Sequence, residues 1–194
     1  MRALVPLALF VAAVPAGQLS LSLHGDALFA SSRQLDLIQP RLLAKLKQGG
    51  TVAFDFQLSL WVGSSNLVNR RAFERFVVSY DLWEERFAVT TLRSTPARAN
   101  GLSAANVGAW CLQNLSVPMP KSPAAEQVRV KLEVRAAENR RDLELSPEEG
   151  VSLTQLIDVF SQRSRGGEAR WTLESAPVTV AALRARESAA KVTQ

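Results

Sequence analysis

The sequence predicts a mainly β fold of the α+β class: an antiparallel β-sandwich-like domain of about seven strands with two or three short helices. Apolar and polar residues alternate with a period of two in several segments, most regularly over residues 51–62. Turn-forming residues separate these segments at short intervals, which is typical of strands joined by hairpins. The chain does not alternate strands and helices in the regular way that indicates a parallel sheet.

The first elements are predicted to be a hairpin followed by a short helix. Leucines alternate with serines over residues 19–23, and Gly25-Asp26 is a turn signal, so residues 27–38 are expected to return as a second strand. Residues 40–48 begin with proline and place three leucines on one helical face. The glycine pair that follows ends this helix.

Three strands are predicted in the middle of the chain. Residues 51–62 place six large apolar side chains on one face, which is too regular an alternation for a helix. Residues 73–82 form the next strand, Trp83 and the two glutamates after it turn the chain, and residues 86–92 pair back. Residues 94–101 are rich in breakers and are predicted to be a loop.

The second half mixes helices and strands. A helix is predicted over residues 103–115, and the prolines of residues 118–123 form a stiff extended connector. Residues 128–134 alternate between apolar and charged side chains, as expected for a strand with one wet face. Residues 152–163 combine a capping box with an apolar stripe and predict a helix, and residues 169–174 predict the last strand.

The N-terminus predicts export. Residues 1–17 combine a basic start, an apolar run and small residues before Gly17, which is the layout of a secretory signal peptide. The alternative is that the segment stays uncleaved as an anchor. Residues 18–185 are predicted to form a single β-rich domain, and residues 186–194 a flexible polar tail. The protein is therefore expected in the periplasm or outside the cell.

Charge restricts the classes of partner. The chain has 23 basic and 18 acidic residues and a net charge of +5 at pH 7. The basic residues are scattered along the chain, and most have acidic neighbours, whereas nucleic-acid binding needs a continuous basic stripe. Nucleic acid is therefore not an expected partner. Peripheral contact with an anionic membrane or a polysaccharide is compatible with a mild positive charge.

The residue types that catalysis and metal binding need are scarce. The chain has one histidine, His24, and one cysteine, Cys111, far apart in sequence. This composition argues against a zinc site or a Ser-His-Asp triad, and no phosphate-binding glycine motif occurs. No catalytic residue, metal or cofactor is therefore predicted, and Cys111 is expected to be a buried, inert thiol. The pair Glu84-Glu85 leaves a glycosidase as a minor alternative.

Two tryptophans and an arginine pair are the candidate binding residues. Trp61 and Trp83 each lie off the apolar face of their strand. If both are exposed near Arg70 and Arg71, the four residues form a binding patch. The competing interpretation is that a helix covers this second face of the sheet and buries both tryptophans.

The N-terminal half resembles the DUF4390 family of exported bacterial proteins. The resemblance covers residues 18–93 and is carried by the segment Leu21–Leu28, the helix and strand of residues 42–61, the Arg70-Arg71 pair and the tyrosine-centred strand pair of residues 76–89. It implies a small exported domain with no known activity.

These observations favour a non-enzymatic exported envelope protein that acts as a protein-interaction module, with another envelope or membrane protein as its partner. Exposed strand edges, to which a partner can add a strand of its own, support this hypothesis. The alternative is a carrier for an apolar or glycolipid ligand held between the sheets or under the helix of residues 152–163.

Overall fold

Two antiparallel sheets and three helices make up the described part of the chain, which is residues 19–137 and 169–192 of a computed structural model. The strands are β1 (Ser20–His24), β2 (Ala27–Ser31), β3 (Val52–Val62), β4 (Arg70–Asp81), β5 (Arg86–Thr91), β6 (Arg98–Leu102), β7 (Ser116–Pro118), β8 (Gln127–Ala137), β9 (Arg170–Glu174) and β10 (Val178–Thr179). The helices are α1 (Pro40–Lys47), α2 (Ala104–Gln113) and α3 (Val180–Val192). The predicted mainly β, sandwich-like fold is confirmed.

Each sheet is built from hairpins. The small sheet has the order β1-β2-β7, and the large sheet has the order β10-β8-β3-β4-β5-β6, with β9 also pairing to β8. Every strand pairing in both sheets is antiparallel. Strand β3 lies in the centre of the large sheet, where Phe56 is opposite Glu74 of β4 and Val134 of β8.

The apolar core fills the space between the two sheets and against the helices. Phe54, Phe56 and Phe76 of the large sheet are fully buried and belong to the same cluster as Leu28 of the small sheet. Helix α2 also packs closely: a Cβ added at Gly108 would lie 2.6 Å from the backbone oxygen of Leu35. Glycine is therefore the residue that permits this approach.

Several predicted boundaries are wrong. The second strand does not run over 27–38 but ends at Ser31, and Leu35, Leu37 and Ile38 are buried without being in a strand. The predicted loop 94–101 contains most of β6, which pairs with the otherwise open edge of β5 through an irregular register. Residues 94–97, which include Pro96, lie before the strand begins, and Gly101 within it takes a positive φ of 71°. With β6, β7 and β10, ten strands are described instead of about seven.

The predicted polar tail of residues 186–194 is wrong in conformation, because α3 continues to Val192. The hydroxyl of Thr179 accepts the N–H of Ala182 at 3.2 Å, which caps the first turn. Val180 and Leu183 are buried in the core. The backbone N–H of Gly25 donates to Glu187 at 2.8 Å, so the helix is also tied to the β1–β2 turn.

Two predictions concern residues outside the described ranges. The signal peptide of residues 1–17 and the helix of residues 152–163 both stay predictions. Within the described ranges, no helix has the length and apolar character needed to cross a membrane.

Candidate functional site

The four predicted binding residues lie at opposite ends of the large sheet. Arg70 is opposite Leu60 on the neighbouring strand, so Arg70, Arg71 and Trp61 share one end of the β3–β4 pair. Trp83 lies in the β4–β5 turn, beyond the other end of β4. A strand of that length spans about 36 Å at roughly 3.3 Å per residue. One patch containing all four residues is therefore wrong, and two separate surfaces replace it.

The first surface is the hairpin tip, defined as Leu82–Glu85. Trp83 is 96% exposed and Leu82 is 57% exposed. The alternative that a helix buries the tryptophans is therefore wrong for Trp83. Two adjacent large apolar side chains at this exposure make the hairpin tip a candidate contact surface.

The backbone of the hairpin tip is held in place from both sides. The Asp81 carboxylate accepts the backbone N–H of Trp83 at 2.8 Å and that of Glu84 at 3.1 Å. Asp81 also pairs in register with Arg86, which closes the hairpin below the turn. Glu85 takes the left-handed conformation with a φ of 53°, which completes the tight turn. Trp83 is therefore presented on an ordered scaffold.

A polar cavity of about 320 Å³ lies beside the hairpin tip. Its lining includes Asp81, Glu84, Arg86, Arg98 and Asn100. The guanidinium Nε of Arg98 donates to Asn100 at 3.0 Å. The tip thus combines two exposed apolar side chains with a charged border, which is the general arrangement of a protein-binding surface.

The second surface is the Trp61 cavity, of about 270 Å³, which is lined by Trp61, Arg129, Val130, Lys131, Glu174 and Ser175. Trp61 is half-buried and lies opposite Arg129 in the β3–β8 register. The alternative that a helix covers Trp61 stays a prediction. Arg70 and Arg71 are exposed, and Arg71 is on the same face as Trp61, because Arg71 pairs with Ser59.

A buried ion pair lies further along the same face of the sheet. Arg75 makes two hydrogen bonds to Asp55, at 2.5 and 2.8 Å, and both side chains are almost fully buried. Arg135 is opposite Asp55 on β8 and is also buried. The sequence places Asp55 on the face opposite the core but carries no signal that this face is buried. The pair joins neighbouring strands and is too enclosed to meet a ligand.

Another charged cluster joins the core face of the sheet to the end of α2. Arg93 binds the carboxylate of Glu74 and the backbone oxygen of Asn114. Burial raises the pKa of Glu74, although the ion pair with Arg93 opposes that rise. The two contacts fix the end of α2 on β4.

The single cysteine and the single histidine of the sequence are the side chains best suited to catalysis or metal binding, but both have structural roles. The Cys111 side chain is fully buried, as predicted, and burial raises the pKa of its thiol far above the usual value. The His24 ring packs edge-on against Phe29, with ring centroids 5.4 Å apart. Across residues 19–137 and 169–192, no three His, Cys, Asp or Glu side chains are grouped as metal ligands.

No family model, curated protein or solved structure matches the chain. The resemblance to the DUF4390 family therefore stays a prediction.

Proposed function

We propose that this protein is an exported, non-enzymatic component of the cell envelope that acts as a protein-interaction module, with the hairpin tip as its docking surface. The observation that carries the proposal is Trp83, whose side chain is 96% exposed on an ordered turn. Tryptophan is the residue type most enriched among interface positions that dominate binding energy. Docking Trp83 and Leu82 in a partner removes exposed apolar surface from water.

The fixed backbone conformation of the turn also favours binding. Association is weakened by the entropy lost when loops and side chains become fixed at the interface. The two hydrogen bonds to Asp81 and the register of the hairpin already fix the backbone around Trp83 before any partner arrives. Binding therefore loses little further backbone entropy, and most of the free energy gained by burying the indole contributes to affinity.

The charges of the hairpin tip indicate the chemistry of the partner. Glu84 and Glu85 follow Trp83 directly, and both are exposed. A matching surface is an apolar pocket with lysine or arginine opposite these two glutamates and acidic side chains opposite Arg86 and Arg98. The same carboxylates oppose insertion of the tip into a membrane with anionic headgroups. A protein partner is therefore favoured over a lipid surface.

The carrier hypothesis gains no specific support from the described cavities. The cavity beside the hairpin tip and the Trp61 cavity both have polar side chains in their linings. A binding site for an apolar ligand is instead lined mainly by hydrophobic and aromatic side chains.

Photocrosslinking from position 83 in intact cells tests the proposal. A photoreactive tryptophan analogue, which keeps the indole ring, replaces Trp83 in one variant and Arg184, an exposed residue of α3, in a matched control. We expect one adduct of defined mass from position 83 that is absent from position 184 and contains another envelope protein. The proposal fails if position 83 gives no protein adduct, or if both positions give the same adducts.

A further inference from the structure

We propose that the Trp61 cavity is a second binding site, independent of the hairpin tip, and that it takes a sugar unit bearing a carboxylate from an acidic polysaccharide. This cavity lies at the end of the sheet away from Trp83. Three features carry the inference: a fixed aromatic ring, an arginine with unused hydrogen-bond donors, and polar groups at the end of β9.

The Trp61 ring is a fixed platform. Its indole N–H donates to the backbone oxygen of Asn66 at 3.2 Å, which orients the ring against the β3–β4 loop. The residue is only half-buried, so part of the indole remains accessible. A rigid, partly exposed aromatic surface can bury the apolar face of a sugar ring with little loss of conformational freedom.

Arg129 supplies recognition of a negative charge. Its guanidinium carbon lies over the face of the Trp61 ring, 6.0 Å from the ring centroid, in a cation–π contact, and the residue is exposed. Among the described residues, no carboxylate lies within ion-pair distance of it. Neighbouring Lys131, in contrast, is paired with Glu133 at 3.0 Å. The N–H donors of Arg129 can therefore bind a ligand carboxylate in the bidentate geometry that arginine favours.

Ser175 and Glu174 supply the hydrogen-bonding groups that sugar hydroxyls need. The Ser175 hydroxyl oxygen accepts the N–H of Val130 at 3.0 Å, which leaves its own hydrogen to donate. The exposed Glu174 carboxylate can accept hydrogen bonds from sugar hydroxyls. The volume of about 270 Å³ lies just below the usual range of small-molecule sites, about 300–1,000 Å³, which fits one sugar ring better than a long acyl chain.

Calorimetry with defined oligosaccharides tests this site. The purified protein is titrated with a hexamer of galacturonic acid and with a neutral glucose hexamer of the same length. The test variant is Arg129→Gln, and the matched control is Arg33→Gln, which removes an exposed arginine from the loop after β2. Thermal melting of each variant verifies that it is folded.

We expect the wild-type protein to bind the acidic hexamer and not the neutral one. Loss of a charge-assisted bidentate contact predicts that Arg129→Gln weakens binding about tenfold or more, while Arg33→Gln changes it by about twofold or less. Absence of acidic-hexamer binding to the wild-type protein, or equal weakening by both variants, overturns the proposal. Binding to phosphatidylglycerol vesicles that depends on Arg129, without hexamer binding, also overturns it and assigns the site to lipid headgroups.

Discussion

Replacing Asp55 with asparagine is expected to lower the free energy of unfolding by about 3–5 kcal/mol, the usual effect of removing one partner of a buried ion pair. Asp55 is 2% exposed, and both of its carboxylate oxygens accept hydrogen bonds from Arg75. Asparagine keeps the shape but loses the charge, and its amide group presents donors where the guanidinium also donates. The buried arginine then loses two charge-assisted hydrogen bonds to a carboxylate.

Urea unfolding followed by circular dichroism measures this change. The matched control is Asp26→Asn, which makes the same substitution in the exposed β1–β2 turn and is expected to shift stability by less than about 0.5 kcal/mol. A loss below about 1 kcal/mol for Asp55→Asn would show that the ion pair contributes little and that other contacts hold this part of the sheet.

Replacing Phe76 with alanine is expected to cost about 3–5 kcal/mol of stability. Phe76 is fully buried and connects the core face of the sheet to helix α2. Its ring lies edge-on to Phe56, with centroids 4.9 Å apart, and to Trp110 at 6.0 Å. Alanine removes both ring contacts and leaves a cavity that the paired strands around it cannot close.

The same denaturation measurement applies to Phe76→Ala. Phe29→Ala removes an identical side chain from β2, where the ring is only half-buried, and serves as the matched control. We expect the control to lose less than half as much free energy. Equal losses would contradict the assignment of Phe76 to the centre of the core.

The sequence predicts elements well where local pattern and tertiary environment agree. Strand β3 was expected over residues 51–62 and runs over Val52–Val62, because the strict alternation of its apolar residues suits only a strand with one face in the core. Helix α1 was expected over residues 40–48 and runs over Pro40–Lys47, because Pro40 and Gly49 mark its ends.

Prediction is wrong where distant contacts decide the structure. Strand β6 forms from residues that resemble a loop, because the edge of β5 supplies hydrogen-bond partners that no local pattern reveals. The C-terminal helix does have a local signal, since five alanines between residues 181 and 190 favour a helix and Thr179 caps it. The tail prediction for residues 186–194 gave more weight to their polar character and terminal position than to this signal.

Of the four predicted binding residues, only Trp61 and Trp83 belong to the two surfaces, because Arg70 and Arg71 line neither cavity. The off-face positions of Trp61 and Trp83 are visible in the alternation of their strands. Their separation depends on strand order and hairpin length, which place Arg70 beside Leu60 and Trp83 at the far turn. The exposure of Trp83 depends on where the other elements pack, which the local pattern does not contain.

The affinity of the Trp83→Ala variant for the protein captured from position 83 tests the central claim most directly. Truncating a dominant interface tryptophan costs about 2 kcal/mol or more, so we expect about thirtyfold weaker binding by calorimetry. The melting temperature should stay unchanged, because Trp83 is almost fully exposed. An affinity within about twofold of the wild-type value, for a folded variant, would contradict the assignment of the hairpin tip as the docking surface.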